Sequence, residues 1–209
     1  MLSGHGISEI PKTLWELEHL TTLDLSGNKL THLPSQIGNL INLTSLNISN
    51  NSLLHLPREI ERLKSLTTFV VSGNKFGIDV EKVAKAFVSR AQILDISDCD
   101  LKHLCPEISI LQATLKELVL DGNHLTCLPA ELPEMSQLER LSIRDNQLEA
   151  LEHDICNIVS LTELDVSGNK ISRISPEITR LSKLISLNLV RSSISLRNLH
   201  IMTLLLFFN

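Results

Sequence analysis

At 209 residues the chain has the length of one ordinary domain and enough material to bury a substantial core. Its composition, 43% hydrophobic against 21% charged, belongs to a packed chain rather than a disordered one. A net charge of −5, with five Phe, one Trp and no Tyr, supplies neither the clustered cations that nucleic acid and acidic membrane surfaces require nor the rings on which unpaired bases stack.

The first residues, Met1 to Lys12, hold no charged segment followed by an apolar stretch, so no secretory signal is read there and a cytoplasmic location is expected. From Leu20 onward the sequence repeats. Segments starting at Leu20 (LTTLDLSGNKL), Leu43 (LTSLNISNNSL), Leu66 (LTTFVVSGNKF), Ala91 (AQILDISDCDL), Leu115 (LKELVLDGNHL), Leu138 (LERLSIRDNQL), Leu161 (LTELDVSGNKI) and Leu184 (LISLNLVRSSI) share one pattern, L-x-x-L-x-L-x-x-N-x-L. Successive starts lie 23, 23, 25, 24, 23, 23 and 23 residues apart, a regularity that chance does not produce. Leu2, His5 and Ile7 fall at the positions of Leu25, Asn28 and Leu30, so the chain opens inside a repeat.

Two units are longer than the rest. Between Phe76 and Arg90 the apolar residues Val80, Val83, Ala84, Phe87 and Val88 recur at three and four, with Asp79 placed to cap, which predicts a helix. The extra residue near Gln112 to Thr114 is expected in a loop. At the far end, residues 195–209 form an atypical apolar tail in which Ile201, Leu204 and Phe207 keep the repeat register and Arg197 breaks it. Its longest apolar run, Leu199 to Phe208, is far short of the roughly 20 residues that cross a bilayer, so no membrane span is expected. The tail reads as a poor cap or the scar of a truncated product, and the chain as a piece of a longer repeat protein.

These residues resemble the leucine-rich repeat family, and the resemblance covers essentially the whole chain as one domain of about eight repeats over 1–209. The second half of each unit, as in Leu33-Pro34-x-x-Ile37-x-x-Leu40, Leu56-Pro57-x-x-Ile60-x-x-Leu63 and Leu128-Pro129-x-x-Leu132-x-x-Met135, is similar to the Ras-associated and Scribble-type intracellular scaffold subclass. The implied fold is an α/β solenoid, a curved horseshoe with a parallel sheet on its concave face and short helices, 3₁₀ turns and loops on its convex face. The implied function is non-catalytic protein binding in signalling, with a small GTPase, phosphatase or kinase as partner class.

The physics of the repeat agrees. In L-x-L the two leucines share one strand face and the residue between them points the other way. No unit can bury its apolar face alone, so neighbours stack. Asn28, Asn51, Asn74, Asn123, Asn146 and Asn169 fall in one column, joined once by Cys99, and are expected to satisfy backbone groups where the chain leaves the sheet. Ser192 takes that position in the last copy.

Chemistry-bearing motifs are missing: no Walker loop, G-x-S-x-G, H-E-x-x-H, calcium loop or dinucleotide fingerprint occurs, so no catalytic residue and no cofactor is expected. His32, His55, His103 and Cys127 share a column that could offer zinc ligands, but Ile78 splits it, and no metal site is assigned. The four cysteines form no Cys-x-x-Cys and are read as reduced thiols. The sequons at Asn42, Asn47 and Asn50 are read as products of the repeat composition. Trp15 is either the cover of the first repeat or an interface anchor. The functional candidate is the concave face, whose side chains are free of packing duty. Its charged members and those flanking it include Asp24, Asp145 and Glu163, and Asp95, Glu117, Asp121, Glu139, Arg140, Arg144 and Asp165 are the proposed protein-binding residues. Three functions are weighed: a binding module, the targeting or regulatory segment of a larger kinase, phosphatase or ubiquitin ligase, and a receptor ectodomain, which would carry cysteine-rich caps that this sequence lacks.

Overall fold

The computed structural model describes residues 2–76 and 90–193. The helix expected between Phe76 and Arg90 and the tail at 195–209 lie outside the described residues.

Each unit contributes one three-residue strand where the L-x-L motif stands. These are β1 (Thr22–Asp24), β2 (Ser45–Asn47), β3 (Thr68–Val70), β4 (Ile93–Asp95), β5 (Glu117–Val119), β6 (Arg140–Ser142), β8 (Glu163–Asp165) and β10 (Ser186–Asn188). They form a parallel eight-stranded sheet in chain order, each strand paired with its neighbours in the repeat. Leu23 pairs with Leu46, Leu46 with Phe69 and Phe69 with Leu94, so the register follows the repeat count, even across the longer third unit. A second, two-stranded sheet joins β7 (Ala150–Leu151) to β9 (Arg173–Ile174) on the returning side.

The return path is too short for a full helix. Most units cross it in one 3₁₀ turn, at Ser35–Asn39, Arg58–Arg62, Pro106–Leu111, Leu132–Glu134 and Pro176–Arg180. The proline of Leu-Pro sets the entry: Pro34 and Pro57 hold φ of −73° and −68° just before the turn and accept its first hydrogen bond, from Ile37 and Ile60. The sixth unit has Glu152 in place of that proline and makes a short α-helical turn, His153–Cys156. Apolar residues from the strand and from the return path meet in one core, with Leu25, Ile37, Leu40, Leu43, Leu46 and Ile48 fully buried. Trp15 is buried at 3% exposure, so its ring serves packing and is not free to anchor a partner.

Beyond each strand the backbone turns through a residue of positive φ; from β1 on this column runs Gly27, Asn50, Gly73, Asp98, Gly122, Asp145, Gly168 and Arg191, with φ from 50° to 69°, and the fourth unit adds a second such residue at Asp100. Glycine alternates with a side-chain-bearing residue for a steric reason. The side chains of Asn50, Asp98 and Asp145 lie over Gly73, Gly122 and Gly168, where a Cβ would overlap them. From Gly27 onward the structural period of this column is therefore two repeats, while its member in the N-terminal unit, Gly4, is also a glycine.

The N-terminal residues extend the stack: Leu2 and Gly4 donate backbone bonds to Asp24 and Ser26, and Asn28 donates to the Leu2 carbonyl. The position of Leu2 beside Leu25 is the one that the register assigns it.

Two expected outcomes test this frame by chemical denaturation. Leu141→Ala, at a position 2% exposed, destabilises the protein by about 2–5 kcal/mol through cavity formation. Gly122→Ala destabilises it by about 1 kcal/mol or more through the left-handed backbone alone, and Asp98→Gly in the same chain returns part of the loss by removing the overlapping side chain. If Leu141→Ala is neutral, or the second pair is strictly additive, the register or the steric account is wrong.

Candidate functional site: the concave face

The strand residues that point away from the core form three columns on the concave face. The first is Thr22, Ser45, Thr68, Ile93, Glu117, Arg140, Glu163 and Ser186; the second is Asp24, Asn47, Val70, Asp95, Val119, Ser142, Asp165 and Asn188. The third, just past the strands, is Ser26, Ser49, Ser72, Ser97, Asp121, Arg144, Ser167 and Val190. The first four repeats are mainly short and hydroxylic; full charges of both signs begin at Glu117.

Behind this face the ladder fixes the spacing of the strands. Asn51 is typical: its amide donates to the carbonyls of Leu25 in the previous repeat and Ile48 in its own, both at 3.0 Å, and its oxygen accepts the Leu30 N–H at 3.0 Å. Asn74, Asn146 and Asn169 repeat the arrangement, accepting from Leu53, Leu125 and Leu148. Asn28 accepts the N–H groups of His5 and Ile7, and Asn123 those of Cys99 and Leu101. Cys99 keeps the donor half of the role, its thiol facing the Ser97 and Val71 carbonyls at 3.2 and 3.7 Å, and has no oxygen to accept with. Ser192 is different: its hydroxyl is buried and has no hydrogen-bond partner among the described residues.

The concave aspartates are occupied. Asp95 accepts the Ser97 N–H and hydroxyl and the Ser72 hydroxyl. Asp165 accepts the Ser167 N–H at 2.9 Å, its hydroxyl at 2.7 Å and the Asn188 amide at 2.9 Å. Asp121, in the third column, accepts the Ser142 hydroxyl at 2.6 Å and the Arg144 N–H at 2.9 Å. The D-x-S spacing, present at Asp24-Leu25-Ser26, Asp95-Ile96-Ser97 and Asp165-Val166-Ser167, is thus a local carboxylate–hydroxyl clasp. Sequence reasoning placed these carboxylates on the face and missed the clasp, although its spacing is visible in the repeats.

The remaining charges interlock. Glu117 accepts Nε and Nη2 of Arg140 at 3.1 and 2.6 Å, and Arg144 stands 4.0 Å from Asp165. The Glu117 hydrogen bond and charge, with Glu163 and Glu139 beyond it, hold the Arg140 proton more firmly than in free arginine. Glu139 sits at the strand entrance, where its carbonyl accepts from Thr162 and Glu163. A shallow hollow of about 280 Å³ lies over this network, with Arg140, Arg144, Glu163, Asp165 and Asn188 in its lining.

No group of three or more His, Cys, Asp and Glu able to hold a metal occurs among the described residues, and His32, His55, His103 and Cys127 are all exposed. The four thiols are free. Burial pushes Cys99 up to about 12 and Cys105 and Cys156 up to about 11. Among the described residues no helix is long and apolar enough to cross a membrane.

The family descriptions "Leucine-rich repeat region" and "Leucine rich repeat" match residues 1–82 and 113–171, together more than half of the sequence. With the eight-stranded parallel sheet, they establish that the chain is a leucine-rich repeat protein. Among solved structures it is similar to a leucine-rich repeat protein of Leptospira interrogans, at 34% identity and a TM-score of 0.83, over 88% of this chain and 46% of that one. It is also similar to the plant peptide hormone receptor RGFR1, solved in complex with RGF2, at 27% identity and a TM-score of 0.74, over 93% of this chain and 32% of the receptor. Internalin C2 of Listeria monocytogenes matches at 26% identity and a TM-score of 0.73, over 86% of this chain and 75% of its own. No curated protein matches the sequence. The chain thus spans less than half the length of the Leptospira protein and about a third of the receptor.

Two measurements probe the environments. Burial raises the Asp121 carboxyl above its ordinary value, against the pull of Ser142 and Arg144. An acid whose folded pKa is raised favours the fold most below its unfolded pKa, and that contribution is lost as pH rises through the folded value. Wild type should therefore lose stability relative to Asp121→Asn as pH rises from the acid range to neutrality, and a difference that does not change with pH would contradict this. In thiol labelling of the native protein, exposed Cys127 reacts first while Cys99 and Cys156 react only after unfolding; prompt labelling of Cys99 would place it wrongly in the core.

Proposed function

We propose that this chain is a non-catalytic protein-interaction module that docks a protein partner on the concave face of repeats five to eight. Leucine-rich repeat domains generally mediate protein–protein interaction, and the one observation that carries the location is the distribution of charge. The free and paired ions of the face gather between Glu117 and Asp165, over a hollow, while the first four repeats present mainly hydroxyls. Charge of this kind governs partner choice and encounter rate more than raw affinity. The Leu-Pro-x-x-Ile return segments favour the intracellular scaffold subclass, with a small GTPase, phosphatase or kinase as the partner class and the cytoplasm as its place.

A second reading has its own support. The chain covers 46% and 32% of two longer relatives, and in this reading the module is the targeting or regulatory segment of a larger enzyme, its catalysis residing elsewhere. Both readings use the same face.

Affinity capture from cytosol with wild type and with the double variant Arg144→Glu and Glu163→Lys tests the location. Both side chains are exposed, so the variant should melt like wild type and lose the partner that wild type retains. Equal retention by both chains would move the interface off the concave face.

A further inference from the structure

We propose that the hollow over repeats five to eight seats one basic side chain, lysine or arginine, of an extended protein segment, with Glu163 as its counter-ion. The inference rests on the concave-face reading above and names the chemistry of its partner.

The register sets Glu117, Arg140 and Glu163 side by side on β5, β6 and β8. Arg140 already directs two donors to one oxygen of Glu117, at 3.1 and 2.6 Å. Glu163, on the other flank, is exposed and its side chain has no hydrogen bond or ion pair among the described residues. The next strand offers it Ser186, which is neutral. The row therefore carries two carboxylates for one guanidinium; over the whole hollow Glu117, Glu163 and Asp165 face Arg140 and Arg144, and with Arg140 bonded to Glu117 and Arg144 4.0 Å from Asp165 the surplus stands at Glu163, which acts on Arg140 through its charge alone. The neighbouring Asp165 is closed to a ligand's cation by comparison, with two serine donors and the Asn188 amide already on it.

Size and ligand count select the occupant. About 280 Å³, open on the concave side, lies below the roughly 300–1,000 Å³ of pockets that enclose small molecules, and suits one long side chain entering from a bound segment. A metal ion would need three or more good ligands, and the described residues gather no such group. A lysine ammonium or arginine guanidinium needs less: one carboxylate for its charge and neutral oxygens such as the Ser186 hydroxyl for its remaining donors.

The test is to pan a phage-displayed library of random linear peptides against the full chain and to measure binding of the enriched peptides by titration. The expected peptides share a lysine or arginine, and Glu163→Gln weakens them about tenfold. Replacing the shared cation by glutamine weakens binding to wild type by a similar factor and adds little to the loss in Glu163→Gln, as a direct pair requires. Peptides without a basic residue, or affinities indifferent to Glu163→Gln, overturn the proposal. Arg144→Trp, which fills the same face from an exposed position, separates the two levels of failure. If it abolishes binding while Glu163→Gln does not, the concave face binds and the basic seat is wrong. If neither matters, the concave-face reading falls as well, and a library that yields no binder counts against both. Thermal melting of each variant establishes that it folds.

Discussion

The asparagine amide between repeats is the constraint on which the rest depends. A strand of three residues makes too few backbone bonds to hold its place, and the turn beyond it leaves buried N–H and C=O groups with no sheet partner. One side chain answers both needs. Its NH₂ reaches a carbonyl of its own repeat and one of the repeat before, and its oxygen takes an N–H from that earlier repeat, all near 3.0 Å. An amide is the smallest group that donates twice and accepts within one plane. Cys99 shows what is lost without it: the donor remains and the acceptor goes. With the spacing fixed from behind, the concave side chains are released from structural work and can differ from repeat to repeat.

That freedom is used unevenly. In the early repeats the face is closed on itself by hydroxyls; Asp24, Asp95 and Asp165 are clasped by the serine two residues on, and Asp121 by Ser142 of the next repeat. Charge on a surface is therefore a poor guide to what a partner meets. Asp95, Asp121 and Asp165 contribute field, but their oxygens are already bonded, whereas Glu163 and the outward edge of Arg144 keep unspent capacity. The distinction between charge that shapes potential and charge that can form a new bond narrows a broad acidic strip to one end of it.

The sheet was legible in the sequence because its cause is periodic: L-x-L at a fixed spacing determines strand, register and core together, as the pairing of Leu23, Leu46, Phe69 and Leu94 illustrates. The ladder column was legible for the same reason. Features that couple two repeats were harder to see. The alternation of glycine with Asn50, Asp98 and Asp145 is written in the sequence, yet its meaning lies in one side chain resting on the next repeat. The Arg140–Glu117 pair likewise joins residues 23 apart, and only the register shows that Glu163 is left over. The return path of the sixth unit departs from the others where neither Glu152 nor the following His153 is proline, whereas Cys105 and Ser175 at the same position are followed by Pro106 and Pro176 and keep the 3₁₀ turn; the result is a helical turn beside a second small sheet.

The claim that the concave side of the late repeats is the working surface is tested most directly by carboxyl footprinting of the chain, free and bound to the partner that it captures, with modified residues read by mass spectrometry. The account predicts that Glu139 and Glu163 are modified in the free protein and shielded in the complex, while Glu149 and Glu152, on the opposite rim by the β7–β9 sheet, are modified equally in both. Shielding of Glu149 and Glu152 with Glu163 still reactive would contradict it and place the partner on the returning side of the solenoid.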